Sequence, residues 1–253
     1  MSNGAKGCLT VVAIVAAAIL ALGWLIFDGS TTWPRTIHYR LTLVVDTPEG
    51  ERSGSSVVQI KTRFPGGLTR AQGWGITTAV LGEATMVDLG PRGLLFALLV
   101  SEKELASGGT GLYSLPFSSD DYPGKYPNND GSNAQAASFF DELNRIKPKA
   151  EMLLNDLPML VRFRDPKDQT SIERVDPSDL SASFGSGVKL KRATVEITDD
   201  PVTKTIGARL PWLAKDMYAP RLLTTPPNWG LRPLSETPLV YLLTYDNFRS
   251  LYQ

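Results

Sequence analysis

Residues 36–61 read TIHYRLTLVVDTPEGERSGSSVVQIK. In the first half, Ile37, Tyr39, Leu41, Leu43 and Val45 recur at every second position, which places them on one face of a β-strand. Thr47-Pro48-Glu49-Gly50 then carries turn chemistry, because proline fixes φ and glycine permits φ > 0. Ser55 to Lys61 resumes strand character, so the segment is expected to fold as a β-hairpin. His38, the only histidine of the chain, falls out of register with the apolar face and is expected to point to solvent.

Working downstream, glycine and proline punctuate the chain at Pro65, Gly66, Gly67, Gly73, Gly75 and Gly82. Short strands are expected at Ile76–Leu81, Ala84–Leu89 and Leu94–Val100. The last of these, LLFALLV, is apolar throughout and reads as a strand buried on both faces. Residues 107–133 form the main irregular segment, of a length that in a compact domain marks function or disorder. A helix is expected from about Ala134 to Ile146, with Asn133 as its cap and Phe139, Phe140, Leu143 and Ile146 on one stripe. Ala150–Leu154 reads as a further helical turn, and Leu157–Phe163 as a strand. Asp176-Pro177 and Asp200-Pro201 each carry a cap followed by proline, predicting helices that end before Gly185 and near Leu210. Between them Val188–Thr198 alternates as a strand, with a slip near Arg192. A final apolar strand is expected at Leu239–Tyr245. Strands and helices without a βαβ rhythm indicate an α+β class, mainly β with a few short helices.

Working upstream, residues 8–27 (CLTVVAIVAAAILALGWLIF) carry no charge. As a helix they would extend about 30 Å, the thickness of a hydrocarbon core. The expectation is therefore a single transmembrane anchor at 8–27, a cytoplasmic tail at 1–7, a juxtamembrane connector at 28–35 and one extracytoplasmic globular domain at 36–253. Trp24 and Trp33 would lie at the headgroup level. Ala13, Ala17 and Ala21 repeat at the spacing that lets membrane helices approach closely. The competing reading is a signal peptide cleaved after Ala21-Leu22-Gly23.

The 253 residues hold 26 basic and 26 acidic side chains, a neutrality that offers no footprint for nucleic acid. The one cysteine, Cys8, precedes residue 36, so the domain has no thiol for a disulfide or a zinc-thiolate site. No cofactor is expected, and with one histidine only oxygen ligands remain for a metal.

Tyr39–Ile60 (YRLTLVVDTPEGERSGSSVVQI), Leu160–Pro166 and Val195–Leu213 (VEITDDPVTKTIGARLPWL) resemble an uncharacterised family of proteobacterial membrane-anchored proteins. The resemblance covers about a fifth of the chain. It implies a bacterial origin and no assigned activity, and it carries over no functional residue.

No catalytic residue is assigned. His38 would be needed by a Ser–His–Asp triad, yet the chain has no Gly-x-Ser-x-Gly elbow. Ser186 and Lys189 make a Ser-x-x-Lys spacing, but on a strand an odd separation puts the two on opposite faces. Asp120, Asp121, Asn128, Asn129 and Asp130 could donate oxygens to calcium or serve as an acid/base pair, and the same residue types also build any tight loop. Gly124-Lys125 is followed by Tyr126, so no phosphate-binding loop forms. In Arg162-Phe163-Arg164, strand alternation exposes two arginines. Trp212, Trp229, Tyr241, Tyr245, Phe248 and Tyr252 crowd a proline-rich tail that either wraps its own domain or docks on a partner.

The reading that follows is a single-pass inner-membrane protein with its C-terminal domain in the periplasm. It would be an accessory or binding module that meets the bilayer through residues 8–27 and a protein partner in the membrane or envelope. The alternative is an envelope-associated hydrolase using the carboxylate-rich loop.

Overall fold

The computed structural model describes residues 12–23, 34–65, 75–106, 133–213, 223–224 and 237–251. The hairpin forms as expected. Strands β1 (Arg35–Thr47) and β2 (Gly50–Arg63) pair antiparallel from Arg35↔Thr62 to Thr47↔Gly50. Pro48 and Glu49 make the two-residue turn, and Gly50 takes φ 117°, open only to a residue without Cβ.

The hairpin is the centre of a six-stranded sheet in the order β10-β3-β2-β1-β9-β6. Its other members are β3 (Thr77–Glu83), β6 (Lys149–Glu151), β9 (Lys189–Thr198) and β10 (Arg249–Leu251). A second, four-stranded sheet has the order β4-β5-β7-β8. It is built from β4 (Thr85–Asp88), β5 (Leu94–Ala97), β7 (Leu160–Phe163) and β8 (Ile172–Arg174). The chain passes from the first sheet to the second at Ala84, and Ser56 and Thr85 join their hydroxyls at 2.6 Å across that passage. There β2 and β4 come so close that a Cβ on Gly54 would stand 1.8 Å from the Met86 carbonyl oxygen.

Two cores follow. The first lies between the sheets and gathers the alternating face of β1 (Ile37, Tyr39, Leu41, Leu43, Val45) with Val58, Ile60, Val80, Val195 and Ile197 against Val87, Leu95, Ala97 and Leu160. The second covers the far side of the smaller sheet with Phe96, Val161 and Phe163 against Ile206, Leu210, Leu213, Leu243 and Phe248. The apolar run 94–100 separates them. Leu95, Ala97 and Leu99 enter the first core, while Phe96, Leu98 and Val100 enter the second. The expected strand buried on both faces is thus realised, although regular pairing stops at Ala97.

Helices are short apart from α3 (Asn133–Ile146). It lays Phe139, Phe140 and Leu143 on the first core and is tied to the start of β1 by Arg35–Asp141 at 2.8 Å and by Asn144 to the Thr36 carbonyl at 2.9 Å. The others are α1 (residues 12–23), α2 (Glu102–Ala106) and α4 (Leu180–Phe184). Helix α4 begins after Asp179, whose carboxylate accepts from the Ala182 amide, because Asp176 spends its own on the turn at Ser178. In β9 the expected slip is a bulge at Lys191: Val44 faces Arg192 and Val45 faces Leu190.

Four expectations are corrected. Residues 8–27 were expected to span a membrane. Within the described residues helix α1 runs over 12–23, and no helix among the described residues is long and apolar enough to cross a membrane. Cys8, Trp24 and Trp33 lie outside the described residues. The single-pass topology, the bilayer contact through 8–27, the inner-membrane and periplasmic placement and the signal-anchor reading are withdrawn with the span. Second, Asp200-Pro201 opens no helix. The Asp200 carboxylate is taken by Arg40 and by the Thr198 hydroxyl, and residues 200–205 run extended to a 3-10 turn at Ile206–Ala208. Third, Ala150–Leu154 is not helical, since Lys149–Glu151 adds to β9 as β6. Fourth, Leu239–Tyr245 forms 3-10 turns, and the strand of this region is β10.

Candidate functional site

The residues singled out in the sequence do not assemble. His38 is half-buried on the outer face of β1. Its Nδ1 donates to the Asp200 carbonyl at 2.8 Å, and its Nε2 stands 3.2 Å from the Gln59 side-chain oxygen. Beside it Arg40 bridges Glu196 at 2.7 Å and the Asp200 carboxylate, and Lys149 reaches Glu196 at 3.1 Å. Lys149 and then Arg40 hold the Glu196 carboxyl below its ordinary range. Every group in this cluster is satisfied, and its effect is to pin residues 199–200 against β1.

Ser186 and Lys189 are exposed, and no hydrogen bond joins them. Arg162 and Arg164 both pair with Glu173 on the neighbouring strand, and Arg162 also lies over the Phe184 ring. Trp212, Tyr245 and Phe248 pack together at ring distances of 5.4–5.6 Å in and around the second core, so this part of the tail wraps its own domain. Asp120, Asp121, Asn128, Asn129 and Asp130, with Trp229 and Tyr252, lie outside the described residues. Among the described residues no group of three His, Cys, Asp or Glu side chains could hold a metal. The hydrolase reading built on the carboxylate-rich loop is withdrawn, as is the envelope-anchored accessory module.

The cleft lies where β3 leaves β2. Strand β2 pairs with β3 only from Gln59 onward, which leaves the backbone of Val57 open on that side. The extended segment after Asp200 fills the gap: Thr203 donates its amide to the Val57 carbonyl at 3.1 Å, and its hydroxyl accepts from the Val57 amide at 2.9 Å. Two residues later the same segment meets Glu83, the last residue of β3. One carboxylate oxygen of Glu83, Oε2, accepts from the backbone amides of Thr205 and of Ile206, the latter at 2.9 Å. Across from Glu83 on β10 stands Arg249, and directly opposed residues of an antiparallel pair share a face. Glu83, Lys204, Thr205, Gly207, Ala208 and Arg249 line a cleft of about 380 Å³, toward the lower end of the roughly 300–1,000 Å³ typical of small-molecule sites.

Three charged side chains, Glu83, Lys204 and Arg249, line this cleft. Glu83 is 3 % exposed, and its second oxygen, Oε1, has no hydrogen bond among the described residues. It is not sealed from solvent, and Glu83 is among the residues that line the cleft. Arg249 donates to the Leu213 carbonyl and has no carboxylate partner among the described residues; Lys204 has no partner there at all. Arg40, Arg92, Arg145, Arg162 and Arg209 are each matched to a carboxylate, whereas the exposed Arg52, Arg63 and Arg192, like Arg249, form no ion pair among the described residues. Gly207 lies beside the guanidinium, where an added Cβ would meet Arg249 Nη1 at an ordinary 3.4 Å.

Nothing in the sequence singles these residues out except Glu83, a charge set between two apolar runs in LGEATMV. Lys204 and Arg249 come together only through the crossing of residues 200–208 and the return of the C-terminal strand. No family model, curated protein or solved structure matches this chain.

Proposed function

We propose that the protein is a small-ligand-binding domain whose site is the cleft between Glu83, Lys204 and Arg249, and that it takes a small anion. The carrying observation is that two cationic side chains, Lys204 and Arg249, line one concave surface with no carboxylate partner among the described residues. An anion entering between them gains charge-assisted hydrogen bonds, the strong kind. Arg249 is held at the Leu213 carbonyl, and the backbone on either side of Lys204 is held by Thr203 at Val57 and by Thr205 and Ile206 at Glu83. The Arg249 guanidinium, already held in place, loses less side-chain entropy when the ligand arrives than a free one would.

Isothermal titration of the full chain with inorganic phosphate and with L-alanine tests this reading. Saturable binding of at least one of them is expected. It should weaken about tenfold or more in Arg249→Gln, as befits one lost charge-assisted contact. Absence of binding for both, or binding that Arg249→Gln and Lys204→Gln leave unchanged, would show that the cleft is not a ligand site.

A further inference from the structure

We infer that the ligand of this cleft is a free α-amino acid, recognised as a zwitterion: its carboxylate between Lys204 and Arg249, its ammonium on Glu83. This rests on the anion-binding reading above and goes beyond it by assigning the floor of the cleft. A site for a simple anion would have no use for a carboxylate at its base, where like charge opposes entry. Glu83 is nevertheless there, almost fully buried and lining the cleft, with one oxygen accepting two backbone amides and the other without a donor among the described residues.

A carboxylate oxygen on a largely buried side chain gains from a charged donor that approaches from the cleft. Neither Lys204 nor Arg249 supplies one, although both line the same space. The three groups therefore present a floor that accepts and a rim that donates. Ligands that satisfy both carry an anion and a cationic donor on neighbouring atoms. An α-amino acid has this arrangement, with the carboxylate and ammonium on one carbon. The cleft, about 380 Å³, has room for a single amino acid. The saturated oxygen also fixes the carboxylate plane, so Oε1 keeps one direction.

The test is a titration of the full chain with L-alanine, N-acetyl-L-alanine, propionate and inorganic phosphate, in the wild type and in Glu83→Gln. Alanine is expected to bind at least about tenfold more tightly than N-acetylalanine or propionate, which keep the anion and lose the ammonium. Glu83→Gln retains an oxygen for the Thr205 and Ile206 amides and is expected to erase that preference while propionate still binds. The inference is overturned if propionate or N-acetylalanine matches alanine in the wild type, or if a folded Glu83→Gln keeps the preference. The wild-type comparison decides the matter even where the variant fails to fold. Binding of phosphate alone would overturn the amino-acid assignment and leave the anion site standing, whereas no binding by any of the four would remove both.

Discussion

Glu83 shows how one side chain can hold a fold and shape a site together. Its carboxylate receives two backbone amides that the extended segment before Ile206 cannot satisfy internally. Glu83→Ala would leave both amides without an acceptor and is expected to cost about 2–4 kcal/mol, read by urea denaturation, whereas Glu83→Gln should cost less than half as much. Equal losses in the two variants would mean that packing, not the amide bonds, anchors the crossing. Glu49 offers a titration test. The Arg92 guanidinium, bonded to it at 2.9 and 3.0 Å, lowers the Glu49 carboxyl from about 4.5 to about 2. A depressed carboxylate stabilises the fold above the ordinary carboxylate range and loses that contribution as pH falls through its folded value. Glu51, Glu173, Glu196, Asp168 and Asp176 are shifted in the same direction by their own partners. The melting temperature is therefore expected to fall progressively from about pH 5 toward pH 2. In Arg92→Ala, the Glu49 carboxyl resonance should titrate near its ordinary value; an unmoved midpoint would show that the pair does not persist in solution. Neither role was legible in the sequence, because each depends on a partner more than 40 residues away in the chain.

At the scale of elements, the period-two alternation of Ile37 to Val45 and the turn chemistry at Pro48 and Gly50 foretold the central hairpin. LLFALLV foretold a strand buried on both faces, though not that its two faces serve separate cores. Where local signals misled, a tertiary contact had claimed the group they relied on. Asp200 could have capped a helix, but Arg40 and Thr198 hold its carboxylate. Leu239–Tyr245 is apolar enough for a strand, yet Leu223 and the 3-10 turns occupy its backbone. Two substitutions test this level. Gly54→Ala places a Cβ against the Met86 carbonyl, where backbone must move, and is expected to destabilise by about 3 kcal/mol or more, at the upper end of overpacking costs. Phe96→Ala opens a cavity between Phe163 and Phe248 and should cost about 3–5 kcal/mol. Chemical denaturation reads both. A loss under 1 kcal/mol at Gly54 would mean that β2 and β4 do not cross as closely as described.

Over the whole molecule, the α+β class was legible, while the transmembrane expectation was not met. Uniform apolarity over residues 8–27 describes solvent preference, and no helix among the described residues is long and apolar enough to cross a membrane. The cleft was hidden for a different reason. It is assembled from the end of β3, the crossing at 204–208 and the returning strand β10, three segments that only topology brings together. Heteronuclear NMR of the full chain, titrated with L-alanine, tests the account most directly. Amide shifts are predicted to move in a saturable way at Thr205, Ile206, Gly207 and Arg249 while those of the His38–Arg40–Glu196 cluster stay fixed. Shifts elsewhere with none at these four positions, or no shifts at all, would contradict the placement of an amino-acid site in this cleft.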